Sequence, residues 1–374
     1  MSQVETAPAG LTFASQLTGL LERYDARRLF LVTGKRSFAL SGAEAALAPL
    51  LENRSVTHFN DFSPNPTLEE VQSGVALCRS EKSDLVLAIG GGSAMDLAKM
   101  INVASASESP LRELLTGATM PEGTPLPLIA VPTTAGSGAE VTHFSAVYVD
   151  GKKYSVTHES LRPTHSILDA TLTRSLPTYL SAATGMDALA QAIESYWSLR
   201  STEASRAHSS RAIQLCNDSL VQAATAPTDA AREAMMQASF EAGQAIDVAR
   251  TTAPHALSYV LTTDFGVTHG HAVALTLGAV FSYNSNHEAA SATPALRQTM
   301  AQLCELLHCP NGDAAAAHIG AIMEQCRLKT RLREVGVARG DLERLAASVN
   351  PQRLKNNPRE FSPQALGAIL ESVY

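Results

Sequence analysis

The stretch 84–99, "DLVLAIGGGSAMDLAK", constrains the fold more than any other. The apolar run from Leu85 to Ile89 has no polar alternation and is too short for a helix, so it reads as a strand buried on both faces. Three glycines follow, and then Ala94, Leu97, Ala98 and Ile101 recur at helical spacing. A buried strand that turns through glycines into a helix is the repeating unit of a parallel sheet covered by helices. "RRLFLVTG", ending at Gly34, and "PLIAVPTT" read as two more such strands, and "TLEEVQSGVALCRS" as a helix capped by Thr67. The expectation is an α/β domain with a Rossmann-like parallel sheet over residues 1–180.

From Met186 onward the pattern changes to alanine-rich segments of helical period, such as "EASRAHSSRAIQLCNDSLVQAA", with no strand run. Residues 181–374 are therefore expected to form an all-helical domain. The 374 residues suffice for both, and 45% hydrophobic against 17% charged residues excludes general disorder. A net charge of -7 argues against a nucleic-acid-binding face. The N-terminus has neither a basic nor an apolar leader, and no run approaches a membrane span. Five scattered cysteines without a CxxC fit reduced thiols, hence a cytoplasmic protein.

Glycines at the end of a strand let backbone approach an anion, and the N–H groups of the following helix favour phosphate. Gly91, Gly92, Ser93 and Asp96 are thus candidate cofactor residues, although the spacing is not GxGxxG and also suits a plain strand-to-helix turn. "PTTAGSGAEVT" repeats the arrangement after the next strand, with Thr133, Thr134 and Ser137 offering hydroxyls. Two such loops at one sheet edge suit a dinucleotide. In "ATGMDALAQAIESYW", Asp187, Gln191, Glu194 and Ser198 form one helical stripe, equally compatible with a solvated face. His255, Tyr259, His269 and His271 then fall within one short window, a concentration that favours a divalent metal.

At "PNPT", "GGGSAMDLAK", "PTTAGSGAEVT", "GMDAL" and the histidines, the chain resembles the iron-containing (group III) alcohol dehydrogenase family over nearly its whole length. The resemblance implies the two-domain fold shared with dehydroquinate synthases, with the active site between the domains. It also implies metal ligands at Asp187, His255 and His269, with Gln191 where the family commonly has a histidine. Iron(II) is the expected metal, with zinc, nickel or manganese as alternatives. "DVARTTAPHALSY", "THGHAVALTLG" and "RLKNNP" resemble the phosphonoacetaldehyde reductase branch of the family. On that reading Arg250, Thr251 and Thr252 lie near the metal if the segment stays helical, and bind an anionic tail. Lys355 is a second cation for it. His271 or Tyr259 is expected to relay the proton.

The implied reaction is hydride transfer between a nicotinamide cofactor and a small aldehyde or alcohol, with the metal as Lewis acid. NADP(H) is expected over NAD(H). Gly34 stands where NAD-preferring relatives often carry an acid, and Lys35, Arg36 and Ser37 follow it. Lys153 completes the cofactor candidates. A homodimer or larger homo-oligomer is expected. The alternatives are a generic group III enzyme for neutral aldehydes or diols and, from another class, a non-catalytic nucleotide-binding protein.

Overall fold

The structure, a computed structural model, describes residues 4–6, 12–286, 288 and 293–374. The N-terminal stretch read above for a leader lies mostly outside these residues. The chain divides into two compact units, Met1–Leu176 and Pro177–Tyr374.

The first unit is built on strands β1 (Glu5–Thr6), β2 (Arg28–Thr33), β3 (Ser55–Phe59), β4 (Leu85–Gly90), β5 (Leu128–Pro132) and β8 (His165–Ser166). They form one sheet in the order β1-β8-β5-β4-β2-β3, with every neighbouring pair parallel. Both faces of β2, β4 and β5 are covered, which is why these three strands read as unbroken apolar runs. Successive residues of β4 serve opposite cores. Val86 and Ala88 pack with Leu97 and Ile101 of the Gly92–Ala106 helix, whereas Leu85, Leu87 and Ile89 pack with Phe13, Leu17 and Leu21 of the Phe13–Arg23 helix. Thr67 caps the Leu68–Ser80 helix through a reciprocal capping box with Glu70.

From β2 the chain steps out to β3, returns across β2 to β4, and continues the other way through β5 to β8. The expected parallel sheet is present, and its order is doubly wound with the reversal between β2 and β4. Ligands of such sheets bind beyond the carboxyl ends of the strands at that reversal. Sequence reading had not marked β3, nor the antiparallel hairpin of β6 (Phe144–Val149) and β7 (Lys152–Thr157). Asp150 and Gly151 turn the hairpin with φ of 50° and 72°, the left-handed pair that a two-residue hairpin turn requires.

The second unit is helical among its described residues. Its central helix, Thr178–Trp197, packs against Glu203–Thr225, Asp229–Ala249 and His269–Ser285. From Met186 to Trp197 every residue of that helix is buried. The stripe carrying Asp187, Gln191 and Glu194 is therefore an interior face, where polar groups must be partnered or serve a ligand. Among the described residues no helix is long and apolar enough to cross a membrane.

Candidate active site

In the first unit three loops close on one another beyond the ends of β2, β4 and β5. Thr133 N–H donates to Gly90 O at 2.9 Å. A side chain on Gly90 would meet Ala94 Cβ at 2.7 Å and Gly34 N at 3.5 Å, and one on Gly92 would meet Ser137 Oγ at 3.0 Å. Glycine is thus what lets these backbones meet. The Gly92–Ala106 helix starts here with Gly91 as its N-cap and no side-chain cap, so its first-turn N–H groups are suited to an anion. Thr133 Oγ1 is buried without a hydrogen-bond partner among the described residues, whereas Ser93 Oγ donates to Pro64 O, engaging the "PNPT" segment.

Asp96 faces the β6–β7 hairpin, where burial pushes its carboxyl up to about 6 against the charges of Lys99 and Lys153. Lys99 is fully buried and donates to Thr142 O, Thr142 Oγ1 and Phe144 O at 2.9, 3.1 and 3.1 Å, tying hairpin to helix. Lys35 and Arg36 are exposed. The Lys35 ammonium pairs with Asp61 at 2.6 Å, so the loop after β2 carries an acid from the end of β3 that sequence reading had not weighed.

In the second unit Asp187, His255 and His269 offer ligand atoms within 4.8 Å of one another. Asp187 comes from the central helix, His255 from the first turn of Ala253–Phe265, and His269 begins His269–Ser285. Gly266 ends the intervening helix in the left-handed region at φ 64°, which reverses the chain and brings His269 back. Gly270 explains how closely the helices cross. A Cβ there would lie 2.0 Å from Ala183 O and 2.7 Å from Asp187 Cβ.

Glu194, seven residues after Asp187, is fully buried and organises the cluster. Its Oε2 accepts from Thr252 N at 2.6 Å and Thr252 Oγ1 at 2.8 Å, and its Oε1 accepts from His255 Nδ1. With Nδ1 donating, His255 turns Nε2 toward Asp187 Oδ1, 3.3 Å away. Burial alone would push this imidazole down, but Glu194 and Asp187 outweigh it and raise His255 to about 9. Ser258 Oγ donates to His255 O at 2.8 Å, so its oxygen accepts from His269 Nδ1 at 3.4 Å, which makes Nε2 the candidate ligand atom. Gln191, one turn beyond Asp187, is buried with Oε1 lacking a hydrogen-bond partner among the described residues. One carboxylate, two imidazoles and an orphaned amide oxygen suit a divalent cation.

Several expectations need correction. The segment through Arg250 is not helical. Asp229–Ala249 ends there, and Arg250 adopts φ 64° and ψ 166°, a region costing on the order of 1–3 kcal/mol outside glycine. Helical continuation therefore does not carry the Arg250 head to His255. Thr252 turns inward, its hydroxyl held between Glu194 and Trp197 Nε1, the latter at 2.9 Å, and so is not presented to a substrate. Thr251 is half-buried, and its carbonyl accepts from Asn356 Nδ2 at 3.4 Å. Lys355 is exposed.

His271 sits two positions from His269 on one helix, which sends the side chains to opposite sides. Its Nε2 donates to Lys329 O at 2.8 Å and its Nδ1 faces Tyr179 OH at 3.1 Å. Burial pushes its pKa down. Tyr259 does reach the cluster, its ring stacked on His269 at 6.2 Å and 17°. Two neighbours were not anticipated. Glu194 was visible only as the third member of the Asp187 stripe. Arg353 touches Tyr259 and lies in "RLKNNP", two residues before the lysine that drew attention.

Comparison with known proteins shows the family. The profile of "Iron-containing alcohol dehydrogenase" matches residues 9–170, and that of "Fe-containing alcohol dehydrogenase family, C-terminal" matches 181–374. The chain is 36% identical over 272 residues to long-chain-alcohol dehydrogenase 1 of Geobacillus thermodenitrificans, covering 72% of this chain and 69% of that protein. It is 33% identical over 338 residues to phosphonoacetaldehyde reductase of Streptomyces viridochromogenes, covering 87% and 84%. Among solved structures, sulfoacetaldehyde reductase of Bifidobacterium kashiwanohense in complex with NAD+ superposes with a TM-score of 0.89 at 29% identity, covering 100% of this chain and 97% of that one.

Proposed function

From the premise that the chain belongs to the iron-containing alcohol dehydrogenase family and is an oxidoreductase, we propose that it reduces phosphonoacetaldehyde to 2-hydroxyethylphosphonate. The observation carrying this reading is that two relatives matched over most of their length are named for aldehydes bearing a phosphonate or a sulfonate. Asp187, His255 and His269 hold the metal, iron(II) first, and the Gln191 amide oxygen completes its protein ligands. The metal supplies Lewis-acid polarisation of the carbonyl when bound. Gly91, Gly92, Thr133, Thr134 and Ser137 line the cofactor loops, whose N–H groups receive the pyrophosphate.

A bound reduced nicotinamide would supply the hydride for the carbonyl carbon, and the carbonyl oxygen needs a proton as the alcohol forms. Tyr259 is the donor we assign to that proton. Burial holds its phenol above the ordinary value against the Arg353 charge, so the proton stays on until an oxygen demands it. For the cofactor, the absence of an acid at Gly34 and the basic Lys35 and Arg36 favour NADP(H), with Asp61 moderating the preference through its pair with Lys35. A generic enzyme for neutral alcohols is the second reading, favoured by the long-chain-alcohol dehydrogenase relative.

The test is NADPH and NADH oxidation by the iron-loaded and the chelated protein, with phosphonoacetaldehyde and propanal as substrates. The proposal expects metal-dependent turnover, at least tenfold higher kcat/KM for phosphonoacetaldehyde, and higher kcat/KM with NADPH. Equal kcat/KM for the two aldehydes moves the assignment to the generic enzyme. Full activity after chelation removes the metal from the reading.

A further inference from the structure

We propose that Arg353 receives the anionic end of the substrate and determines the preference for an acidic over a neutral aldehyde. The proposal rests on the functional reading above and names the residue that carries its specificity. Its guanidinium carbon lies 4.4 Å from the centre of the Tyr259 ring, and Nη1 donates to the Tyr259 hydroxyl. Tyr259 in turn stacks on His269. The order is therefore cation, phenol, metal-binding imidazole.

Access points the same way. Asp187, Gln191, Glu194 and His255 are buried, whereas His269, Tyr259 and Arg353 are half-buried. The partly accessible members of the group are therefore the three that run from His269 through Tyr259 to Arg353. A two-carbon aldehyde with a terminal phosphonate measures roughly 5 Å from carbonyl oxygen to outer phosphonate oxygen at ordinary bond lengths near 1.5 Å. With its carbonyl at the metal-binding group, such a molecule extends its anionic end alongside the Tyr259 ring in the direction of the guanidinium. A propanal molecule has nothing to place there.

The guanidinium is equipped for the task. Among the described residues no carboxylate lies within 4 Å of it. Nη1 is used on Tyr259, while the edge formed by Nε and Nη2 provides the fork that fits two phosphonate oxygens. A half-buried cation beside a site for a divalent metal is electrostatically unfavourable alone, and a dianionic tail between them reverses the sign.

The backbone behind Arg353 is pinned. It sits in the short helix Pro351–Leu354, whose N-cap Asn350 accepts from Gln352 N at 2.9 Å. Leu199 N donates to Asn356 O at 2.9 Å, Asn356 reaches Thr251 O, and buried Asn357 donates to Asn284 Oδ1 at 2.9 Å. The "RLKNNP" motif thus divides its labour. The two asparagines anchor the segment and the arginine is presented to the site, which limits the entropy lost when an anion binds.

The test compares kcat/KM for phosphonoacetaldehyde with kcat/KM for propanal in iron-loaded wild type, Arg353→Ala, Arg353→Lys and Arg250→Ala, with thermal unfolding as a folding check. The ratio of the two constants is the readout, since a general loss of folded enzyme cancels in it. Arg353→Ala is expected to lower the ratio by at least about tenfold, the order expected for one charge-assisted contact. Arg353→Lys should recover part of it, and Arg250→Ala should keep the ratio within about twofold. A wild type without preference for phosphonoacetaldehyde overturns the functional reading and this inference together. A wild type whose preference survives Arg353→Ala, or is lost in Arg250→Ala, overturns the inference alone.

Discussion

Replacing Glu194 by glutamine alters one atom's chemistry and no appreciable volume, yet no arrangement of the buried network both satisfies it and leaves His255 Nε2 able to bind a metal. In the native protein Glu194 only accepts, from Thr252 N, Thr252 Oγ1 and His255 Nδ1. A glutamine has one acceptor oxygen. If that oxygen stays on Thr252, its amide N–H groups face His255 Nδ1. The imidazole must then carry its proton on Nε2, the atom that looks toward Asp187, and a protonated Nε2 cannot bind a metal. If the amide flips, its N–H groups face the Thr252 N–H at the start of Ala253–Phe265, and two donors meet in the interior. The first arrangement satisfies the hydrogen bonds but withdraws Nε2 from a metal, and the second leaves a buried donor without a partner, a cost of about 1–3 kcal/mol.

Loss of such a supporting partner typically lowers metal affinity about 10–100-fold, or about 1.4–2.8 kcal/mol. We expect the larger end for Glu194→Gln because it changes the tautomer rather than merely loosening it. The assay titrates chelated wild type and variant with cobalt(II), followed by visible absorption and by calorimetry. Histidine-detected 15N NMR of the metal-free protein, taken above the value of about 9 at which the His255 imidazole becomes neutral, reports which ring nitrogen carries the remaining proton. A shift of the His255 proton to Nε2 with at least tenfold weaker cobalt binding is the expected result. Cobalt affinity within twofold of wild type in a folded variant would refute the reasoning.

Two further predictions concern the scaffold. Gly270→Ala places a methyl 2.0 Å from Ala183 O, so the crossing helices must separate. A loss of about 1–3 kcal/mol in urea unfolding is expected, together with weaker cobalt binding, and an unchanged midpoint contradicts it. Burial works against ionisation of Glu241, but hydrogen bonds from His208 at 2.5 Å and Arg211 at 2.9 Å hold it down at about 2, against 4.5 ordinarily. A depressed acid stabilises the fold above its unfolded value. The stability gap between wild type and Glu241→Gln should therefore be full above pH 4.5 and shrink as pH falls toward 2, which urea midpoints across that window will show or refute.

How much of this was legible beforehand follows from what each signal encodes. Strands β2, β4 and β5 could be read because burial on both faces leaves an unbroken apolar run. β3, Ser55–Phe59, is only partly covered and mixes serine, threonine and histidine with Val56 and Phe59, so its pattern resembles a loop. The glycine loops could be read because close backbone approach demands glycine, whatever it approaches. The failure at Arg250 was one of geometry. Along a continuous helix His255 would lie little more than one turn beyond Arg250, but Arg250 itself breaks the helix at a positive φ with no glycine to announce it.

Glu194 shows the deeper difficulty. An acid on a helical stripe has the same spacing whether the stripe faces solvent or core. The discriminating signal lies on the other faces of the helix: from Ala182 to Trp197 they carry alanine, glycine, leucine, isoleucine, methionine, tyrosine and tryptophan, with Thr184 and Ser195 too small and too scattered to make a polar face. A helix with no outside must hold its acids inside, and an interior acid persists only where it has partners. Asp187, Gln191 and Glu194 then belong to one assembly by necessity. The partners must be donors or a cation, and the histidines and Thr252 supply the donors. Gln191 Oε1, which no donor among the described residues reaches, is the acceptor on this face that a cation would satisfy.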